Sequence, residues 1–229
     1  MNKFTVGVIV AIFACFGGLL AWTAMNSQKA DYSEYSSGAI IQGTDDNGGI
    51  ADHVRGKENS NVLVVEYADF QCPSCASLMP KVTALYKEYG DRVAFVYRNY
   101  PLDYHQNARA AAAAAEAAGF QGKYWEMMET IYSNKTEWEE ASGEERANVF
   151  AKLFKQIAAD GDEDKFREDM GSEDIKKKIS FDQGLGKKSG VTATPSFFVN
   201  GEQVDFDEIT ENGDIKSLVE KKIKEALGE

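Results

Sequence analysis

The hydrophobic pattern of this chain changes character along its length, and each change predicts a different element. Residues 4–25 run for 22 positions without a charge. Residues 26–60 turn polar, rich in Ser, Gly, Asn and Asp, and read as a tether ordered at most near its end. Residues 62–67 are apolar and β-branched, which predicts a buried strand. From Ala76, the residues Leu78, Val82, Leu85 and Tyr89 fall at helical spacing; Gly90 is a natural stop and Pro80 predicts a kink. Residues 93–98 read as a second strand. The nine alanines of residues 108–118 predict a helix ending at Gly119, and residues 124–132 and 144–157 predict amphipathic helices. Asp162 and Ser172 are N-cap candidates, each followed by acidic residues. The helix after Ser172 is clear to Gln183, and Gly184 and Gly186 leave its end open between there and Gly190. Residues 196–199 are apolar, Asn200-Gly201 predicts a hairpin turn, and residues 202–206 pair back. Asp214 caps a last helix with Ile215, Leu218, Val219, Ile223 and Leu227 on one side. The order is that of an α/β sheet core interrupted by a helical block.

Composition sharpens the first part of this pattern. A helix over residues 4–25 would reach about 33 Å, enough to cross a ~30 Å hydrocarbon core. The run exceeds the usual signal core, and Ala21-Trp22-Thr23 is a poor cleavage site. An uncleaved transmembrane anchor is therefore preferred over a cleaved secretory signal. Lys3 is the only charge in residues 1–28, which places the N-terminus in the cytoplasm and the rest outside. The net charge is −12, with 24 basic against 37 acidic side chains after residue 28; such a surface repels phosphate backbones and argues against a nucleic-acid partner. Cys15 falls within the apolar run and reads as a small apolar residue.

The chemistry concentrates at Cys72-Pro73-Ser74-Cys75, between the first strand and the helix after it. Two cysteines so spaced can share a metal, close a structural disulfide or exchange disulfides. A zinc site needs four ligands, and His53 and His105 have no pair spacing. A structural disulfide across so short a loop gains little. Redox exchange is the favoured reading. Cys72 sits where unpaired backbone N–H groups at a helix start favour its thiolate. Pro73 suits the first turn, and Cys75, one turn in, should be shielded. Elsewhere the signals are weaker: Asp160–Asp164 departs from a calcium loop at Lys165 and reads as a solvated helix start, and His105 reads as a packing or capping residue.

Residues 66–75, from Glu66 through Phe70 and Gln71 to Cys75, resemble the active-site segment of DsbA-like thiol:disulfide oxidoreductases of the thioredoxin superfamily, in their membrane-anchored bacterial form. Residues 190–201, with Thr194-Pro195 ahead of an apolar strand and Asn200-Gly201, resemble the family's second motif. Residues 97–102 also resemble this group. The resemblance implies a thioredoxin fold with a helical insertion, preceded by the transmembrane helix. Its expected layout is an anchor in 1–28, a linker in 29–60, thioredoxin-like parts in 61–104 and 190–229, and an insertion in 105–189.

The resemblance also implies roles for single residues. Cys72 and Cys75 would be the catalytic pair, and Pro195 would be cis and face them. The Thr194 backbone would pair with substrate, with Pro73 and Ser74 at the same rim. Glu66 would lie beneath the pair and assist proton transfer with Cys75; the competing reading is a solvent-facing strand glutamate. If Glu66 is buried, its pKa should rise toward neutrality. Phe70 and Gln71 would shape the rim. The implied activity is donation of the Cys72–Cys75 disulfide to unfolded secreted or surface proteins with free thiols, by a single-pass, membrane-held monomer. A quinone-linked membrane partner would reoxidise it, and no metal or cofactor beyond the redox disulfide is expected. The same cysteines would serve an isomerase or reductase, and a redox-inactive binding or chaperone module is the alternative from another class.

Overall fold

The computed structural model describes residues 32–205 and 214–229, so the expected anchor, with Lys3 and Cys15, lies outside the described residues. No helix of the described residues is long and apolar enough to cross a membrane. Five strands form one mixed sheet in the order β1-β3-β2-β4-β5: β1 (Val54–Gly56), β2 (Leu63–Ala68), β3 (Ala94–Asn99), β4 (Ser196–Val199) and β5 (Glu202–Gln203). β2 and β3 are parallel neighbours, as a strand–helix–strand crossover requires; β1, β4 and β5 pair antiparallel. All six residues of β2 and of β3 are buried, because both faces of the sheet are covered. Alternation sends Val64, Glu66 and Ala68 to one face, and Leu63, Val65 and Tyr67 to the other.

The first face packs on α1 (Pro73–Tyr89) and α8 (Ile215–Leu227). Helix α1 runs to both sides of Pro80, whose ring lies on the exposed face, so the residue expected to kink the helix does not interrupt it. The helical block comprises α2 (Ala108–Gly119), α3 (Tyr124–Ser133), α4 (Lys135–Trp138), α5 (Gly143–Ile157), α6 (Glu163–Met170) and α7 (Glu173–Lys188). Asp162, Ser172 and Asp214 cap α6, α7 and α8 as expected, each side chain accepting a backbone N–H of the first turn.

One helix end left open by the pattern is fixed by packing, and two stretches, residues 32–60 and the returning strand, differ from the pattern-based expectation. Helix α7 continues through Gly184 and Gly186 to Lys188, and packing explains both glycines. A Cβ on Gly184 would collide with the Tyr32 phenol, and one on Gly186 would lie 2.7 Å from the Tyr100 ring. Residues 32–60, read as a tether, pack onto the domain. Ile41, Ile50 and Asp52 are buried, and β1 adds a strand to β3. The reason is an ion cluster that composition does not reveal. Arg98 on β3 donates to Asp52 (2.7 Å) and to the Ala39 carbonyl (2.7 Å), and Lys178 on α7 donates to Asp52 (3.0 Å) and Asp182 (2.7 Å). The returning strand is shorter than expected: β5 covers two residues, and Phe206 lies outside the described residues.

Candidate active site

Pro73, with its fixed φ and no N–H to satisfy, opens α1 and leaves Cys72 as the extended N-cap residue (φ −66°, ψ 123°). The sulfur of Cys72 thus lies over the first turn, where amides lack intrahelical acceptors. Its pKa is lowered to about 5. The largest cause is hydrogen bonding from the Cys75 side chain; the Thr194 side chain and the backbone N–H groups of Cys75 and Ser74 add to it, and together they outweigh burial. Cys75, one turn along, moves the other way: burial raises its pKa well above the ordinary thiol value, and the Cys72 sulfur and the Glu66 carboxyl add to the rise. Cys72 keeps 6% of its surface accessible and Cys75 keeps 0%, so an attacking group reaches only the first sulfur. Both cysteines are free thiols in this structure.

The second motif closes over this sulfur. The Thr194–Pro195 bond is cis, and the Cys72 thiol donates to the Thr194 carbonyl at 3.4 Å, across 122 residues of sequence. The Thr194 hydroxyl is buried, accepts no donor among the described residues, and faces the same sulfur. Pro73 and Ser74 are exposed beside it. The structure therefore brings together Cys72, Cys75, Pro73, Ser74, Thr194 and Pro195.

Glu66 lies on the α1-facing side of β2 and is 2% exposed, which disposes of the solvent-facing alternative. Both carboxyl oxygens lack a hydrogen-bond partner among the described residues. Burial alone pushes its pKa up to about 8, so the group holds its proton at neutral pH. Beside it is a cavity of about 10 Å³ lined by Val64, Val82, Tyr86, Phe95 and Phe197, close to the space one water occupies.

Several residues at the site carry more than their sequence suggested. Phe70, expected at the rim, is buried and packs between the rings of Tyr97 and Tyr132 (5.2 and 4.9 Å). Gln71 accepts from the Asn107 N–H (2.8 Å) and donates to the Glu139 carbonyl (3.0 Å), tying the cysteine loop to the helical block. With Tyr104, Asn107, Glu139 and Arg146, Gln71 lines a polar cleft of about 400 Å³. Asp69, absent from the expected site, accepts from the N–H groups of Gln71 (2.7 Å) and Leu102 (2.8 Å) and from His105 Nδ1 (2.7 Å). The available signal was local: an aspartate at a strand end two residues before an unpaired amide is an Asx-turn pattern. His53, the other histidine, bonds Glu116 (2.8 Å) and stacks on Tyr124. Among the described residues no three His, Cys, Asp or Glu side chains are grouped to hold a metal ion.

The thioredoxin family model matches residues 49–225 of the chain. A probable disulfide bond formation protein D from Bacillus cereus is 28% identical over 230 residues, covering 96% of this chain and 94% of that protein. A Na(+)/H(+) antiporter from Salinispora tropica is 39% identical over 151 residues, which is 66% of this chain but 22% of that protein. The chain thus spans about a fifth of the length of the antiporter relatives it matches. Among solved structures, a thioredoxin-like oxidoreductase from Silicibacter pomeroyi aligns with a TM-score of 0.61 at 26% identity, covering 78% of this chain and 93% of that one.

Proposed function

The chain belongs to the thioredoxin family, in its DsbA-like group, and from that premise we propose that it is a thiol:disulfide oxidoreductase that works as a dithiol oxidase outside the cytoplasmic membrane. The observation that carries the reading is the asymmetry of the pair: Cys72 is reachable and ionised near neutrality, while Cys75 is sealed and held protonated.

In the oxidised enzyme a substrate thiolate attacks the Cys72 sulfur. The new bond joins substrate sulfur to Cys72, the Cys72–Cys75 bond breaks, and Cys75 leaves with the electron pair. Glu66, which burial keeps protonated at neutral pH and whose charge would be felt at Cys75, would supply a proton to that sulfur. A second thiolate of the substrate then attacks the substrate sulfur of the mixed disulfide. This forms the substrate disulfide and releases Cys72 as a thiolate. Cys72 is a good leaving group because its pKa is low, and a stabilised dithiol form makes the disulfide more oxidising. The Thr194 backbone and the exposed rim of Pro73 and Ser74 receive the extended substrate peptide. Unfolded secreted or surface proteins are the substrates, and a membrane partner, quinone-linked as in the family, reoxidises the pair. Placement outside the membrane rests on the charge-free run of residues 4–25.

Cys75→Ala cannot form the internal disulfide, so it enters the exchange from the other side. The Cys72 thiolate attacks a disulfide of a secreted protein, joins one of its sulfurs and releases the other as thiolate. With no Cys75 thiol to displace the bound sulfur, these adducts should accumulate on non-reducing gels. Absence of adducts overturns the exchange mechanism. Redox titration against glutathione tests direction: the oxidase reading expects a potential well above that of thioredoxin, about −270 mV, and a value near that figure sinks it.

A further inference from the structure

The loop that carries the cysteines is held from an unexpected quarter. Between the end of β2 and the start of α1 lie Asp69, Phe70, Gln71 and Cys72, and beside the Gln71 side-chain ties to the helical block this stretch is held by bonds to Asp69. Its carboxylate is fully buried and accepts three donors: Gln71 N–H in its own loop, Leu102 N–H in the loop after β3, and His105 Nδ1–H. Its carbonyl accepts the Cys72 N–H (3.1 Å) and the Tyr132 hydroxyl (3.3 Å). One residue therefore holds the amide of Cys72 through its carbonyl and the amide of Gln71, just before it, through its carboxylate. It also clips together the two loops that leave the C-terminal ends of the parallel pair β2 and β3.

The third donor differs from the other two. Leu102 and Gln71 offer backbone amides, fixed by the chain. His105 is a side chain 16% exposed, with Tyr104, itself 75% exposed, edge-on to it at 4.5 Å. Remove its N–H, and a buried carboxylate keeps two donors where it had three. That carboxylate can recover only by turning toward water or another donor. Any such turn loosens its bonds to the Gln71 and Leu102 N–H groups, and with them the residue that precedes Cys72.

We propose that His105 and Asp69 form a positioning couple for the cysteine pair. His105 Nδ1–H fixes the Asp69 carboxylate, and Asp69 holds the Gln71 amide through that carboxylate and the Cys72 amide through its carbonyl, so the couple fixes the loop that carries the Cys72 sulfur. The proposal rests on reading Cys72–Cys75 as an exchanging pair, and neither residue touches substrate in the cycle above.

The test uses the full chain with His105→Ala, His105→Asn and His105→Gln. The Asn amide can stand where Nδ1–H stands. The Gln amide reaches the place of Nε2 and misses Asp69, while keeping most of the bulk. Two quantities are read: ionisation of Cys72, followed by thiolate absorbance, and the equilibrium of the pair with glutathione. Urea unfolding of the oxidised and reduced forms accompanies them. His105→Ala and His105→Gln should raise the Cys72 ionisation midpoint and make the pair less oxidising by about threefold or more. His105→Asn should stay close to the parent. If all three variants keep the parent's midpoint and glutathione equilibrium, and differ only by an equal loss of stability in both redox forms, the couple is a structural brace and the proposal fails. Should the parent fail to oxidise a reduced test protein while the Ala and Gln shifts remain, the oxidase reading falls and the positioning couple stands.

Discussion

Asp52 and Glu66 are both buried carboxylic acids against the same sheet, and the protein treats them in opposite ways. Asp52 accepts from the Ile41 N–H (2.9 Å), from Arg98 through two nitrogens and from Lys178. Despite burial, Lys178 and Arg98 hold it well below the usual carboxylate range. Its neighbours are equally engaged: Lys178 also holds Asp182, and Glu116 takes His53 and the Asn99 amide. Glu66 has none of this and is pushed up to about 8. A buried acid with every lone pair answered is architecture; it pins residues 36–52 to β3 and α7. One left unanswered costs stability, which a fold tolerates where a proton must be held and released.

The sharpest way to break the comparison is Arg98→Met, which strips the paired acid of its main donor. Leaving Asp52 with one cation should cost about 3–5 kcal/mol in urea unfolding, alike in both redox forms. The Cys72 ionisation midpoint should not move; if it does, the two regions are coupled and the contrast is wrong. Next in size is Glu66→Gln. The unfolded glutamate ionises near 4.3, whereas the native one keeps its proton to about 8. The native state therefore binds more protons between those values, and stability falls as pH rises across that window and levels above it. Glu66→Gln should flatten the profile, removing a fall on the order of 2 kcal/mol or more. It should also slow the step in which Cys75 leaves, seen in stopped-flow exchange. The smallest effect is expected from Thr194→Val. Loss of the hydroxyl that faces Cys72 should raise that thiol's midpoint by about half a unit, with stability changed by under about 1 kcal/mol.

Much of the fold is readable from period alone. β2, β3 and β4 and the helices that begin at Ala108, Tyr124 and Ile215 fall within one residue or so of their apolar patterns. What escaped has a common cause, since it depends on partners far away in sequence. Gly184 and Gly186 left the end of their helix open, and only Tyr32 and Tyr100, set against them, account for its running on to Lys188. Residues 32–60 look solvated until Arg98 and Lys178 reach Asp52. At the site, the cysteine pair announces itself, and Thr194-Pro195 and Glu66 become interpretable through the family resemblance. Asp69 and His105 stayed hidden because a single aspartate and a single histidine, 36 residues apart, carry no pattern.

The sealing of Cys75 has a kinetic consequence. With one reachable sulfur, the proposed cycle has a single port. The thiol that is oxidised and the partner that restores the disulfide must both use it, one after the other. Initial rates against the two should give parallel double-reciprocal lines, the mark of a ping-pong enzyme. Each should also compete with the other at high concentration, since each binds the form of the enzyme meant for its counterpart. A sulfur hidden by a few ångströms of packing would in this way set the order of the two half-reactions.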